Sequence, residues 1–433
     1  MKRSIGNRTV ANLRKAKAKK MLPKVAKPQA ARHAIERAVE AFAEIINDLT
    51  YKDGPDPKPT PLRNLTFWVG AGFSKAWNSA YPTSAELFCL RGRDADRIAD
   101  PGALARTFGV DMGDGLDFDG VRSLVYHLDM QAKYPDVRSR YVDEQNIRQV
   151  RASLSAALVR RFVDLTGMQP FDRTAAKFLI DSPSDEQREI IAFFNDLERR
   201  DDGSQDVVEG LRTHFISTNY DNVIETILDN VIGEDDSTFI YGYRGVSPVE
   251  IEGMAPAKVM HDHWLVRQLI KINGGFEILR RGDGFVFNYE NRTPEQIAVD
   301  PPVVMLPSRE QDYHDGYFRA IFPKAVRLLR DTTVLVIAGY SLPDDDALMR
   351  FILRQFAEEP EDGREKIIFY IDPSDEKTKR ERLEMVFPLR DGQYPTIVPF
   401  NGTFNAFVKQ YLAVQDRIRA ARYRKLKKLG LRT

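Results

Sequence analysis

The amino-acid sequence predicts an α/β fold: a Rossmann-like parallel sheet with an inserted, mostly helical lobe. Three observations point to it. Short apolar, β-rich runs recur along the chain (LTFWV, HFIS, PPVVML, DTTVLVIAGY and KIIFYID). Segments with helical composition and spacing separate many of them, as crossovers between parallel strands require. Several runs also stop in a glycine-rich or polar bend, namely GAGFS, STNYD, AGYSLPDDD and IDPSD. In such sheets ligands collect outside the carboxyl ends of the strands.

Taken in order, residues 1–50 form a basic segment followed by a helix. Ile35, Val39, Phe42 and Ile46 recur at helical spacing within residues 28–50. YKDGPDPKPTP then breaks the chain with glycine and prolines. Residues 51–400 form the main domain, with the helical insertion at about 86–210. RQVRASLSAALVRRFVDL, FDRTAAKFLI and REIIAFFNDLERR read as helices of that insertion. LPDDDALMRFILRQFAEE is a further helix, between the last two strand candidates. Residues 401–433 form a C-terminal helix and basic tail.

A chain of 433 residues, 42% of them hydrophobic, can bury a sizeable core. No run of eighteen apolar residues appears, so no membrane span is expected. Cys89 is the sole cysteine, which excludes an internal disulfide and fits a cytoplasmic location. Formal net charge is only +1, yet residues 1–27 carry ten Lys or Arg and no acid. The last residues, RIRAARYRKLKKLGLRT, are also basic. The tails fit flexible solubilising ends, a contact with a partner protein, or nucleic-acid binding.

The candidate site lies at the strand ends. Gly70 and Gly72 in GAGFS permit close backbone approach. Free N–H groups of a following helix can hold phosphate, and Ser74 adds a hydroxyl. Lys75 stands where a G-x-G-x-x-G motif needs its third glycine, so spacing alone leaves a structural turn and a dinucleotide loop equally open. In STNYD, Asn219 both donates and accepts, while Asp221 serves as a helix cap or as an orienting anion beside a nucleotide. Gly339 and Ser341 follow the apolar run VLVI. Asp344, Asp345 and Asp346 suit the first turn of the next helix, and their adjacency does not favour a metal set. Asp372 either forms an Asp-Pro turn or accepts ribose hydroxyls.

Together GAGFSKAWNSAYPTSAEL, STNYDNVIE, VIAGYSLPDDD and IDPSD resemble the SIR2-like family, in that order and over roughly residues 64–375. The resemblance is closest to SIR2-like proteins of bacterial anti-phage defence. It implies NAD+ as substrate, hydrolysed to nicotinamide and ADP-ribose. It assigns nucleotide contacts to Gly70, Ala71, Gly72, Phe73, Ser74, Pro82, Thr218, Gly339, Tyr340, Ser341 and Asp372, with Asn219 and Asp221 as catalytic residues. It further implies a homo-oligomer and a partner such as a HerA-type ATPase. The sequence departs from the family in two places. With Cys89 alone, the four-cysteine zinc site of the deacylases is not expected, and no other metal is called for. In QLIKINGGFEI, Asn273 stands where the family carries a catalytic histidine, and Asn cannot act as a general base near neutral pH. His261 and His263 in MHDHW, and His314, are the candidate replacements.

Overall fold

The computed structural model describes mainly residues 37–47, 63–96, 115–137, 142–167, 171–198, 211–231, 267–308, 316–358, 365–387 and 395–428, with a few single positions excepted. Six parallel strands form the central sheet: β1 (Arg63–Val69), β2 (Leu211–Ser217), β3 (Leu269–Lys271), β4 (Thr332–Ala338), β5 (Ile367–Asp372) and β6 (Thr396–Asn401). Their order across the sheet is β6-β5-β4-β1-β2-β3. This is the doubly wound arrangement, with chain direction reversing between β1 and β4. The long crossover from β1 to β2 holds the inserted helices.

The strands are apolar on both faces because helices cover both. Side chains alternate across a strand. Leu65, Phe67 and Val69 accordingly enter one hydrophobic cluster and Trp68 the other. The first cluster is roofed by helix α1 (37–47), by α5 (Asp185–Glu198) and by the start of the C-terminal helix α10 (Phe404–Lys428). Phe42, Phe193 and Tyr411 meet there, with ring centroids 5.0–6.2 Å apart. The second cluster is covered by α7 (Gly316–Asp331), α8 (Ala347–Arg354) and α9 (Glu376–Val386).

The remaining helices introduced below are α2 (Ala71–Trp77), α3 (Phe118–Lys133), α4 (Glu144–Thr166) and α6 (Val223–Val231). α3 and α4 build the helical lobe over the carboxyl edge of the sheet. α5, within the same crossover, packs Phe193 and Phe194 directly onto Phe67 of β1.

Two expected elements differ. FDRTAAKFLI is not a helix but a short antiparallel pairing of Phe171–Asp172 with Lys177–Phe178. Asp172 Oδ1 accepts the N–H groups of Thr174 and Ala175, a local turn that competes with helix. The Phe171 and Phe178 rings then meet across the pair at 5.0 Å. PPVVML is not a sheet strand either; Val304 makes only an isolated bridge to Gly274. The edge strand β6 was not among the strand candidates, and its TIVPFN carries a proline, which edge strands tolerate.

The α1–α5–α10 roof carries a polar tie. Tyr411 donates its hydroxyl to Asp196 Oδ2 at 2.6 Å, and Arg419 donates to the other carboxylate oxygen at 2.5 Å. Tyr411→Phe is expected to cost about 1.5–3 kcal/mol, the range for a hydrogen bond to a charged group. Urea unfolding checks this. No helix among the described residues is long and apolar enough to cross a membrane.

Candidate functional site

A cavity of about 530 Å³ opens outside the carboxyl ends of the strands, at the β1/β4 reversal. Every strand from β1 to β5 delivers a segment near it. Ala71 and Gly72 follow β1, Thr218, Asn219 and Asp221 follow β2, and Asn273 follows β3. Gly339, Tyr340 and Ser341 follow β4, and Asp372 ends β5. Pro82 also lines it. These eleven sequence-assigned residues therefore share one cavity.

The two glycine loops lock together. The Gly72 N–H donates to the Gly339 carbonyl at 2.9 Å, and the Gly70 N–H to the Ala338 carbonyl at 3.1 Å. A Cβ on Gly72 would lie 2.8 Å from Gly339 Cα, and Gly339 itself has φ +64°. The glycines are thus demanded by loop-to-loop packing as well as by any ligand. Two N–H groups at the start of α2 are consequently spent: Gly72 on Gly339, and Phe73 on the Gly70 carbonyl at 2.8 Å. Fewer backbone donors remain for phosphate than the sequence suggested.

Gly70, Phe73 and Ser74 do not line the cavity. Phe73 is buried in the core against Phe404, ring centroids 4.9 Å apart, because it lies on the inward face of α2. Ser74 is buried one layer below the floor, in a polar relay. Asn219 Nδ2 donates to the Gly70 carbonyl at 2.9 Å and to Ser74 Oγ at 2.8 Å. Ser74 Oγ donates to Asp221 Oδ2 at 2.7 Å. The Gly70 carbonyl can only accept, which fixes the Asn219 amide with nitrogen inward. Its carboxamide oxygen is the atom left for the cavity. Asp221 Oδ1 accepts the Val223 N–H at 3.1 Å, so the capping role and the relay role belong to one carboxylate. Burial pushes the Asp221 carboxyl above its usual range, against the opposing pull of the Lys271 ammonium and the Ser74 hydrogen bond.

Asn273 Nδ2 donates to the Thr218 carbonyl at 3.0 Å. Asn273 thus lines the cavity while its amide nitrogen serves the β2 loop. His261, His263 and His314 lie outside the described residues. Among the described residues lining the cavity there is no histidine, and no group of three or more His, Cys, Asp or Glu is arranged to hold a metal ion.

The helical lobe supplies a wall that motif reading missed: Phe88, Phe118, Arg122 and Phe162. Phe118 and Arg122 stand four apart on α3, with the guanidinium 5.8 Å from the Phe118 ring centre. Only their spacing hinted at a shared face, and that spacing equally describes a core helix. Pro82 leads into a capping box, in which Thr83 N–H donates to Glu86 at 2.6 Å. Lys75 reaches Glu86 from α2 at 2.9 Å, tying the first loop to the lobe. On the opposite rim Tyr340 donates to Asp346, which also lines the cavity. Asp372 Oδ1 accepts the Ser374 N–H at 2.8 Å, and Arg382 stands 3.6 Å away.

No curated protein sequence matches the chain. Among solved structures, a Sir2 homologue in complex with NAD is 12% identical, over 86% of this chain and 94% of that one, with a TM-score of 0.35. A mutant Sir2 homologue with ADP-ribose is 13% identical over 86% and 97%, with a TM-score of 0.33. A structure of Sir2 enzymes is 11% identical over 88% and 98%, with a TM-score of 0.36. Likenesses at this level assign no site residues. The SIR2-like domain model matches residues 213–387, under half of the chain. That stretch holds most of β2, all of β3, β4 and β5, and Asn219, Asp221, Asn273, Gly339 and Asp372.

Proposed function

We propose that the protein is an NAD+ glycohydrolase, releasing nicotinamide and ADP-ribose. The observation that carries this reading is the Asn219–Ser74–Asp221 relay, set under a cavity at the strand reversal of a SIR2-like fold. The glycosidic bond to nicotinamide breaks and its electron pair neutralises the departing ring nitrogen. Water then adds to the ribose carbon and loses one proton to solvent. Positive charge develops on the sugar as in glycoside hydrolysis. Asn219 offers its carboxamide oxygen to the water or to a ribose hydroxyl, held in place by its two inward donations. Asp221 fixes Ser74, and its negative charge favours the oxocarbenium character. Gly339, Tyr340 and Ser341 border the adenosine side, Asp372 accepts its ribose hydroxyls, and Arg122, which also pairs with Asp119 at 2.8 Å, brings a positive charge to the cavity wall facing the pyrophosphate.

The test is nicotinamide release measured by chromatography. Asn219→Ala should lower turnover by ~10²–10³, the scale of losing one preorganised polar group, with an unchanged circular dichroism spectrum. Full turnover in that variant rejects the assignment.

A second reading is a non-catalytic NAD- or ADP-ribose-binding scaffold. The bound amide of Asn273 favours it. Measurable NAD binding with no turnover in the complete assembly would select it. On the motif resemblance we also propose a regulated anti-phage effector acting in the cytoplasm as a homo-oligomer, with a HerA-type ATPase or another defence partner. The basic tails are proposed as the contact for that partner or for nucleic acid.

A further inference from the structure

β3 and the turn after it grip the β2 loop at four points. Ile272 N–H donates to the Ser217 carbonyl at 2.9 Å, and Phe276 N–H to the Tyr220 carbonyl at 3.1 Å. Asn273 Nδ2 holds the Thr218 carbonyl, as above. The fourth point is different in kind: Lys271 Nζ donates to Asn222 Oδ1 at 2.8 Å. This ammonium is 4% exposed. It pairs at 2.9 Å with Glu225 of α6 and at 2.9 Å with Glu277 beyond the turn, both buried.

The turn sequence serves this contact. A Cβ on Gly275 would meet the Glu277 carboxylate at 2.4 Å, so glycine there lets Glu277 fold back toward Lys271. Buried ion clusters are expensive, because desolvation offsets most of the attraction. Two carboxylates around one ammonium also leave a formal excess of one negative charge. The protein keeps this cluster directly behind the loop that carries Asn219 and Asp221.

We propose that Lys271 is a positioning residue of the site: wedged between Glu225 and Glu277, its ammonium fixes Asn222 and stands as the counter-charge behind the adjoining Asp221, to which Ser74 donates. The catalytic consequence rests on the hydrolase reading; the electrostatic role does not. The groups facing the cluster are Asp221, Glu225 and Glu277, all raised first by burial, and the hydroxyls of Tyr81, Tyr289 and Tyr317, raised the same way and therefore neutral. Lys271 opposes the rise at each of the three carboxyls.

The test reads the Asp221 carboxyl directly, as the protonated-acid infrared band that Asp221→Asn removes from the full-length protein. Glu277→Gln leaves Lys271 facing Glu225 alone and removes the negative charge that Glu277 places near Asp221 wherever it is ionised. It should move the appearance of that band to lower pH by about one unit, an ordinary environmental shift. The acid limb of nicotinamide release should move with it, in kcat and not in KM. Lys271→Met should move the band to higher pH, and Lys271→Arg should restore it. An Asp221 titration that is unmoved or raised in Glu277→Gln overturns the proposal, and this holds even where Lys271→Met fails to fold. A complete assembly that binds NAD but releases no nicotinamide defeats the hydrolase reading alone, because the infrared titration still decides the role of Lys271.

Discussion

Gly339→Ala is expected to lower stability by about 2–5 kcal/mol and to abolish nicotinamide release. Two costs add. The backbone at Gly339 has φ +64°, where an L-residue pays about 1–2 kcal/mol. The new Cβ would also stand 2.1 Å from the Phe73 amide nitrogen and 2.4 Å from the Gly72 carbonyl carbon. Both obstacles are backbone, so no rotamer change relieves them, and overpacking of this kind costs about 1–3 kcal/mol. Relief requires the β1 and β4 loops to part, which breaks the Gly72–Gly339 hydrogen bond and widens the cavity floor. Gly72→Ala meets the same interface with ordinary φ and a nearest approach of 2.8 Å, so its cost should be smaller. Urea midpoints measured at constant m-value give the ranking. A Gly339→Ala protein within about 0.5 kcal/mol of wild type, the range of a neutral surface change, would show that the loops are not locked.

That locked interface marks where sequence reasoning reached and where it stopped. The strand-ending motifs were legible because each couples a buried apolar run to a residue type that strands rarely hold. The doubly wound sheet follows from their alternation with helices. The reason for the glycines was not legible, since Gly70 and Gly72 face a loop more than 260 residues away in sequence. Phe73 was assigned to the nucleotide because it sits inside the motif, but helical geometry turns it into the core. FDRTAAKFLI has the composition of a helix and the structure of a turn, because Asp172 captures two local N–H groups. Phe118, Arg122 and Phe162 left no motif, and only the folding of the lobe over the sheet brings them to the cavity. Lys271, Glu225 and Glu277 carry no motif of their own in the sequence, and their burial is a purely tertiary result.

Lys271→Met should cost about 3–5 kcal/mol, the penalty for leaving buried charge without its partner. It leaves Glu225 and Glu277 facing each other in a buried site, and one of them must take up a proton. Adding Glu225→Gln and Glu277→Gln to Lys271→Met should recover most of the loss, because a neutral cluster of similar volume carries no desolvation debt. The pH dependence separates this electrostatic account from simple packing. Burial first, and then Glu277, pushes the Glu225 carboxyl up to about 7, with Lys271 pulling it down. The Glu277 carboxyl is raised in the same sense. The folded state therefore holds protons that the unfolded chain releases at the ordinary carboxylate pKa of about 4.3. The contribution of these groups is complete below that value and is lost as pH rises toward about 7. Lys271 stays charged across this window, since its own pKa is raised. Wild-type unfolding free energy should thus carry a component that falls between about pH 4.5 and pH 7, and the triple variant should lack it. Equal slopes in the two proteins, measured by urea unfolding across that range, would mean that Glu225 and Glu277 titrate alike in the folded and unfolded chains. The triad would then be a packing contact whose charge state does not respond to folding.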